Sequence, residues 1–312
     1  MCVVSVSMLL YSNQKLQKYK YGGIRKQMKK TRIVVISDMH VGSIYGLAPL
    51  DDVPQNKQSP FLLWVNEKWL EFCKKYNNPD YLLLAGDLTD GSGIKNLGVD
   101  AICTNLDEQE FMACKLLKFI IGSNTKIYGV NGSGYHCGQG QATNLDRRIT
   151  ERLHGEFKGS VFVFDIGEEK IQVAHVASSS MINPLTGILR EIRLSKEDAQ
   201  KRKTKSPTII VRGHLHRALS VQDDAGVWGI LNGCWQTNTP FMLQHTANIT
   251  PSIGATIIDI EDGIAKVFRV DYPIPEDVRQ AMFGYEQLKE RTMTLKEKKD
   301  RQEWLRLQRQ LK

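Results

Sequence analysis

Residues 32–40, RIVVISDMH, and 81–90, YLLLAGDLTD, decide how this chain reads. Each begins as a short apolar run suited to a buried strand, and each stops on an aspartate. Working outward, Lys126–Val130 (KIYGV) and Thr208–Arg212 (TIIVR) are further strands of the same kind. Between the first two, Phe61–Tyr76 spaces Leu62, Leu63, Val65, Trp69, Leu70 and Phe72 at roughly helical period. Leu106–Ile121 predicts a second helix, with acids in its first turn where the macrodipole favours them, and Ala142–His154 a third. Paired strands follow around Val161–Phe164 and Ile171–His175, then a Pro184-led helix that grades into the charged stretch Arg190–Lys205. Hairpin-like strands close the pattern at Leu219–Gln222, Trp228–Leu231, Ala255–Ile260 and Ala265–Val270. Helices alternating with strands early, and hairpins late, predict an α/β domain over residues 31–275: mixed sheets covered by helices.

The 312 residues carry a formal charge of +8, a balance that invites a nucleic-acid reading until the charge is located. Residues 1–30 contribute +7 and residues 286–312 contribute +4, which leaves −3 for the body between them. The basic excess therefore belongs to an N-terminal extension (1–30) and a charged C-terminal helical tail (276–312), on which Trp304, Leu307 and Leu311 share a face. No run of about 18 apolar residues is present, so no membrane-spanning helix is expected. The apolar start MCVVSVSMLL lacks the basic flank and cleavage site of a secretory signal. Six scattered cysteines without a CxxC argue against a zinc ribbon or a disulfide scaffold, and they fit a reducing, cytoplasmic compartment.

The chemistry is expected at the strand ends. Asp38 and His40 follow the first strand, and two residues apart in extended chain they project to one side. Both suit a divalent cation, through carboxylate oxygen and imidazole nitrogen. Gly86 lets the chain turn so that Asp87 can point from the second strand tip, and the two oxygens of one carboxylate can bridge two cations. Asp90 reads as part of a plain Asp-rich turn. After the third strand comes Asn131-Gly132-Ser133-Gly134-Tyr135-His136-Cys137-Gly138, a loop by composition. His175 ends another strand, a position where a lone histidine is more often a satisfied core residue. TIIVR runs into Gly213-His214-Leu215-His216, whose two histidines suit a ligand pair. Of seven histidines, five (His40, His136, His175, His214, His216) end or follow buried strands, where α/β sheets build their sites.

In this order, Asp38-x-His40, Gly86-Asp87-x-x-Asp90, the Asn/His loop, His175 and Gly213-His214-x-His216 resemble the calcineurin-like metallophosphoesterase family over residues 33–216. The resemblance implies a four-layer αββα sandwich and a hydrolase with two divalent ions, manganese first, with iron, zinc or magnesium as alternatives. It implies that Asp38, His40, Asp87 and His216 hold one ion. Asp87, a ligand from the third loop, His175 and His214 would hold the other. Ions that share Asp87 would activate a water for in-line attack on a phosphate ester, and His136 would protonate the leaving oxygen.

The third motif departs from the family form, Gly-Asn-His followed by an acid. Either Asn131 is the ligand in a lengthened loop, or Ser133 takes the Asn position; an amide oxygen is the better ligand, which favours Asn131. Asp90 is not followed by Arg, unlike the Ser/Thr phosphatase branch. The expected activity is hydrolysis of a phosphomonoester or phosphodiester. A binding or assembly module without turnover is the alternative, motivated by the third motif and the charged tail. A nuclease is the narrower enzymatic alternative, with nucleic acid held by the basic ends and Arg190–Lys205. Trp235 reads as core packing before base stacking, and Cys137 and Cys234 as buried small side chains.

Overall fold

The computed structural model describes residues 30–92, 98–138, 144–176, 183–240, 242–243, 250–282 and 284. The N-terminal extension before Lys30 and the tail residues Trp304, Leu307 and Leu311 lie outside them. The described chain is helical from residue 276 to residue 282.

Among the described residues eleven strands form two sheets. The first runs β11 (Ile264–Asp271), β10 (Gly254–Glu261), β1 (Thr31–Ile36), β2 (Tyr81–Leu84), β3 (Lys126–Gly129), β4 (Glu156–Phe157). From β1 to β4 neighbours are parallel, whereas β10 is antiparallel to both β1 and β11. The second sheet runs β5 (Val161–Ile166), β6 (Glu169–Ala174), β7 (Ile209–Arg212), β9 (Trp228–Leu231), β8 (Leu219–Gln222). There β6, β7 and β9 are parallel, and the edge strands β5 and β8 pair antiparallel.

Alternation along β1 shows how the layers assemble. Ile33 and Val35 join Leu83 of β2, Ile171 and Val173 of β6, Val211 of β7 and Ile230 of β9 in the core between the sheets. Val34 and Ile36 face the other way, toward α1 (Pro60–Tyr76) and α2 (Leu106–Leu117), where Phe61, Trp69, Phe72, Met112 and Leu116 cover the first sheet. The second sheet's outer face is covered by Ile188 and Ile192 of α5 (Pro184–Arg202), packed on Ile210 and Leu231. The period of two along β1 thus feeds two apolar layers, and the result is the expected αββα sandwich.

The helices begin at their sequence signals. Ser59 accepts from the Leu62 N–H ahead of Pro60, and Asn105 caps α2. A one-turn helix, α3 (Gly134–Cys137), lies inside the third loop, which reads as loop by composition, and the helix expected over Ala142–His154 is α4 (Leu145–Arg152). The charged stretch on α5 carries ordinary ion pairs, Arg193–Glu197 at 2.9 Å, Arg202–Asp198 at 3.0 Å and Lys196–Asp223. Trp235 is fully buried against Trp69 and Phe72, so it packs the core. Among the described residues no helix is long and apolar enough to cross a membrane, and the five described cysteines are free thiols.

Candidate metal centre

The loops after β1 and β2 are zipped together by main-chain hydrogen bonds. Asp38 N–H donates to Gly86 O (2.9 Å), His40 N–H to Asp87 O (3.2 Å) and Val41 N–H to Leu88 O (3.1 Å). The two aspartates are therefore held side by side by backbone. Gly86, at φ +88°, has no room for a side chain: an added Cβ would lie 2.5 Å from Gly132 Cα. From the second sheet, His175 reaches across and bonds Ala85 O through Nδ1 at 2.7 Å, which joins the two sheets at the site.

One expectation needs correction here. Asp38 and His40 do not converge as i and i+2 of an extended strand, because β1 ends at Ile36 and both are left-handed, with φ of +53° and +46°. Asp87 (+52°), His214 (+72°) and His216 (+54°) share that conformation. Nine described non-glycine residues have positive φ, and five of them are candidate ligands. L-residues adopt this region at a cost, and it persists where surrounding structure over-determines it. Strain, rather than pleat, aims these side chains.

Seven His and Asp side chains form three overlapping groups: Asp38, His40 and His216; Asp87, His175 and His214; and His40, Asp87 and His136. The structure thus brings together Asp38, His40, Asp87, His136, His175, His214 and His216. His214 and His216 turn to different groups. His40 Nε2 and His216 Nε2 lie 3.1 Å apart, and His216 Nε2 is 3.3 Å from Asp38 Oδ1. His175 Nε2 lies 2.9 Å from Asp87 Oδ2 and 3.9 Å from Asp38 Oδ1. All but His214 and His136 are buried.

The third loop places its two ligand candidates differently. Asn131 Oδ1 accepts from Asn144 Nδ2 at 2.5 Å, and Asn131 Nδ2 donates to Ser160 Oγ at 3.2 Å. Ser133 is the one that touches Asp87. Its N–H donates to Asp87 Oδ1 at 2.7 Å, and its hydroxyl lies 3.1 Å from both carboxylate oxygens. Gly132 makes this approach feasible, since a Cβ there would stand 2.2 Å from Asp87 Oδ1.

Asp90, read from sequence as a turn residue, meets two site histidines. Its carboxylate is 3.5 Å from His40 Nδ1 and 3.8 Å from His136 Nδ1, and its carbonyl bonds His136 Nδ1 at 2.8 Å. Gln109, fully buried, clamps the following residue by bonding both Gly91 N–H and Gly91 O. Asp90's sequence signal was its place three residues after Asp87. Gln109 carried none, and neither did Asp146, whose carboxylate accepts from Leu88 N–H at 3.0 Å, because only the packing of α2 and α4 brings them in.

Electrostatics separate the groups. Burial alone would raise Asp38, but His175 and His216 hold it down at about 2. Burial also opposes charge on Asp87, and His175 more than reverses it, keeping the carboxylate well below its ordinary range. For His175 burial disfavours the charged ring, yet Asp87 and Asp38 raise it to about 9. His216 also stands well above its ordinary value, because Cys234 and Asp38 outweigh burial. Burial and the neighbouring His136 push His40 down to about 4, and burial and His175 lower His214.

The donor set fits divalent cations. Imidazole nitrogens and carboxylate oxygens are the usual ligands of borderline divalent ions. Here His40 Nδ1 and His216 Nδ1 are buried without a well-formed hydrogen bond, and buried polar atoms normally have one. None of the three groups includes a cysteine.

The sequence profile described as calcineurin-like phosphoesterase matches residues 31–218. Among solved structures, a dimetal phosphatase from Danio rerio aligns at 10% identity and TM-score 0.40, over 78% of this chain and 99% of its own. A metallophosphoesterase from Sphaerobacter thermophilus aligns at 12% identity and TM-score 0.36, over 82% and 99%. A predicted phosphoesterase from Streptococcus pneumoniae aligns at 17% identity and TM-score 0.37, over 79% and 95%. No curated protein matches the sequence. The profile spans more than half of the chain and its closing motif, Gly213-His214-x-His216, supplies two of the clustered histidines, so the chain belongs to the calcineurin-like phosphoesterase family.

Proposed function

We propose that this protein is a metal-dependent phosphoesterase that hydrolyses a phosphomonoester or phosphodiester with two divalent ions. The observation that carries the reading is the position of Asp87 between an Asp38/His40/His216 group and a His175/His214 group. Asp38, His40 and His216 would hold one ion and His175 and His214 the other, with Asp87 facing both. Bound there, the ions would supply Lewis-acid neutralisation of phosphate charge and a nucleophilic water at neutral pH. Mixed nitrogen and oxygen donors suit manganese, iron or zinc, and manganese is the metal proposed.

The chain's own residues do the rest. His136 carries its Nδ1 proton on the Asp90 carbonyl, which leaves Nε2 to hold a proton for the leaving-group oxygen. The Asp90 carboxylate lies 3.8 Å from the same Nδ1, so one residue fixes the orientation of the ring through carbonyl and side chain. Ser133 and the backbone zip hold Asp87 in place.

The test is a panel of aryl phosphomonoesters and phosphodiesters assayed with Mn²⁺, Zn²⁺ and Mg²⁺. Hydrolysis by the wild type, absent in a folded Asp87→Asn variant, is the expected result; equal rates for the two proteins sink the proposal. A binding module without turnover is the second reading, favoured by the serine hydroxyl of Ser133 at Asp87, where the family form has Asn. Purified protein that carries less than one ion per chain, with no activity on adding Mn²⁺, would select it. The nuclease reading keeps the basic ends and Arg190–Lys205, where Arg193, Lys196 and Arg202 are ion-paired on or beside α5.

A further inference from the structure

Asp146 belongs to none of the three ligand groups, yet it is a buried carboxylate that binds both loops carrying the centre. Its Oδ1 accepts from Leu88 N–H at 3.0 Å. Its Oδ2 accepts from Gly132 N–H at 2.7 Å and from Asp87 N–H at 3.3 Å. We propose that Asp146 is the positioning residue for Asp87, tying the loop after β2 to the loop after β3 so that Asp87 meets both ligand groups. This rests on the metal-dependent reading above.

Three features support the assignment. First, all three partners are backbone donors, so the two-oxygen carboxylate satisfies them together; an amide would turn its own N–H₂ toward at least one N–H. Second, the space is shaped for this contact: a Cβ on Gly132 would stand 2.9 Å from Asp146 Oδ2. Third, the helix that carries Asp146 is seated from both sides. Asn144 caps it through Arg147 N–H at 2.9 Å and holds Asn131 with its amide, and Thr150 packs where a side chain on Gly129 would be. Because Asn144 supplies the cap, Asp146 points out of its own helix and into the two loops. The unusual third motif of this chain is thereby braced from α4. Partners of this kind commonly govern metal affinity 10–100-fold.

Calorimetric titration of the full chain with Mn²⁺ tests the proposal, on wild type, Asp146→Asn and Arg148→Gln. Arg148→Gln loosens the same helix from Asp107 and Glu110 without touching the carboxylate. Asp146→Asn is expected to weaken Mn²⁺ binding about 10–100-fold, while Arg148→Gln lowers the thermal midpoint and leaves affinity unchanged. Wild-type affinity in Asp146→Asn overturns the proposal, as does equal weakening in Arg148→Gln, which would mark a general loss of packing. A wild type that binds no ion overturns the metal reading itself, a result visible before any variant is compared. If Asp146→Asn does not fold, Asp146→Ser replaces it: a hydroxyl keeps one acceptor and removes the two-oxygen bridge between the loops. Weakened Mn²⁺ binding then supports the brace and unchanged binding overturns it.

Discussion

His40 Nε2 and His216 Nε2 face each other at 3.1 Å across 176 residues of chain, both buried, with Asp38 Oδ1 within 4.0 Å of each. Two ring nitrogens this close share at most one proton. The remaining lone pair faces a carboxylate, an arrangement more costly to bury alone than around a cation.

Protons and metal therefore compete. His175, at about 9 in the metal-free fold, stands above its ordinary 6.5. Its pairing with Asp87 stabilises the metal-free chain fully below about 6.5, and that contribution is lost as pH rises through about 9. Metal affinity runs the other way, because binding displaces the His175 proton. Mn²⁺ affinity should climb from pH 6.5 toward pH 9, with about one to two protons released per chain at neutral pH, measured calorimetrically in buffers of different ionisation enthalpy. A flat affinity across this range would contradict the assignment.

Removing the ions should cost stability. Divalent ion at about 100 times its dissociation constant adds about 2.7 kcal/mol to the folded state. Chelation by EDTA should accordingly lower the thermal midpoint by several degrees, and Mn²⁺ should restore it; differential scanning calorimetry reads both directions.

Ser133 and Asn131 separate by experiment. Ser133→Ala removes the hydroxyl beside both Asp87 oxygens and should weaken Mn²⁺ binding about 10-fold. Asn131→Ala breaks the bond to Asn144 and should cost about 1 kcal/mol in urea unfolding, with the smaller effect on metal. The reverse ranking would return Asn131 to the ligand position.

Asp87 sits at φ +52°, where Asn is tolerated and Ala is not. Metal-free Asp87→Ala should be less stable than Asp87→Asn by about 1 kcal/mol, in addition to the loss of activity both share. Equal unfolding midpoints would show that the strain at this turn is carried elsewhere.

Away from the site, Arg32 makes a two-pronged pair with Asp259, joining β1 to β10. Arg32's hydrogen bonds hold Asp259 below its ordinary range. The pair therefore stabilises above about pH 4 and is lost as pH falls through the lowered value. Asp259→Asn should cost about 1 kcal/mol at pH 7, a modest figure because Arg32 is partly exposed. The gap to wild type should close as pH falls through that lowered value, as followed by acid unfolding.

The buried strands, the helix at 60–76 and the late hairpins were legible because each is a local pattern of period 2 or 3.6 that a window of residues carries by itself. The ligand types at the strand ends were legible for the same reason: Asp and His after an apolar run is a local oddity. Local pattern failed where partners are distant. Asp90 looked like a turn residue because its contact with His136 spans 46 residues. Asn131 outranked Ser133 on donor chemistry, and only the Gly132 approach to Asp87 shows which of them touches that carboxylate. Asp146 followed no strand and matched no motif.

From the residues alone came a domain of mixed sheets covered by helices, the strand-tip placement of Asp38, His40, Asp87, His175, His214 and His216, and the confinement of the basic charge to the two ends; the αββα layering came with the family resemblance. Tertiary structure decided the rest. It set the order of strands in each sheet and split His214 from His216 between two groups. It also forced five candidate ligands into left-handed turns and brought Asp146 of α4 onto the N–H groups of Asp87, Leu88 and Gly132. Hydrophobic periodicity is written in neighbouring residues. A metal centre is a convergence of distant backbones, and its geometry exists only once the two sheets have packed.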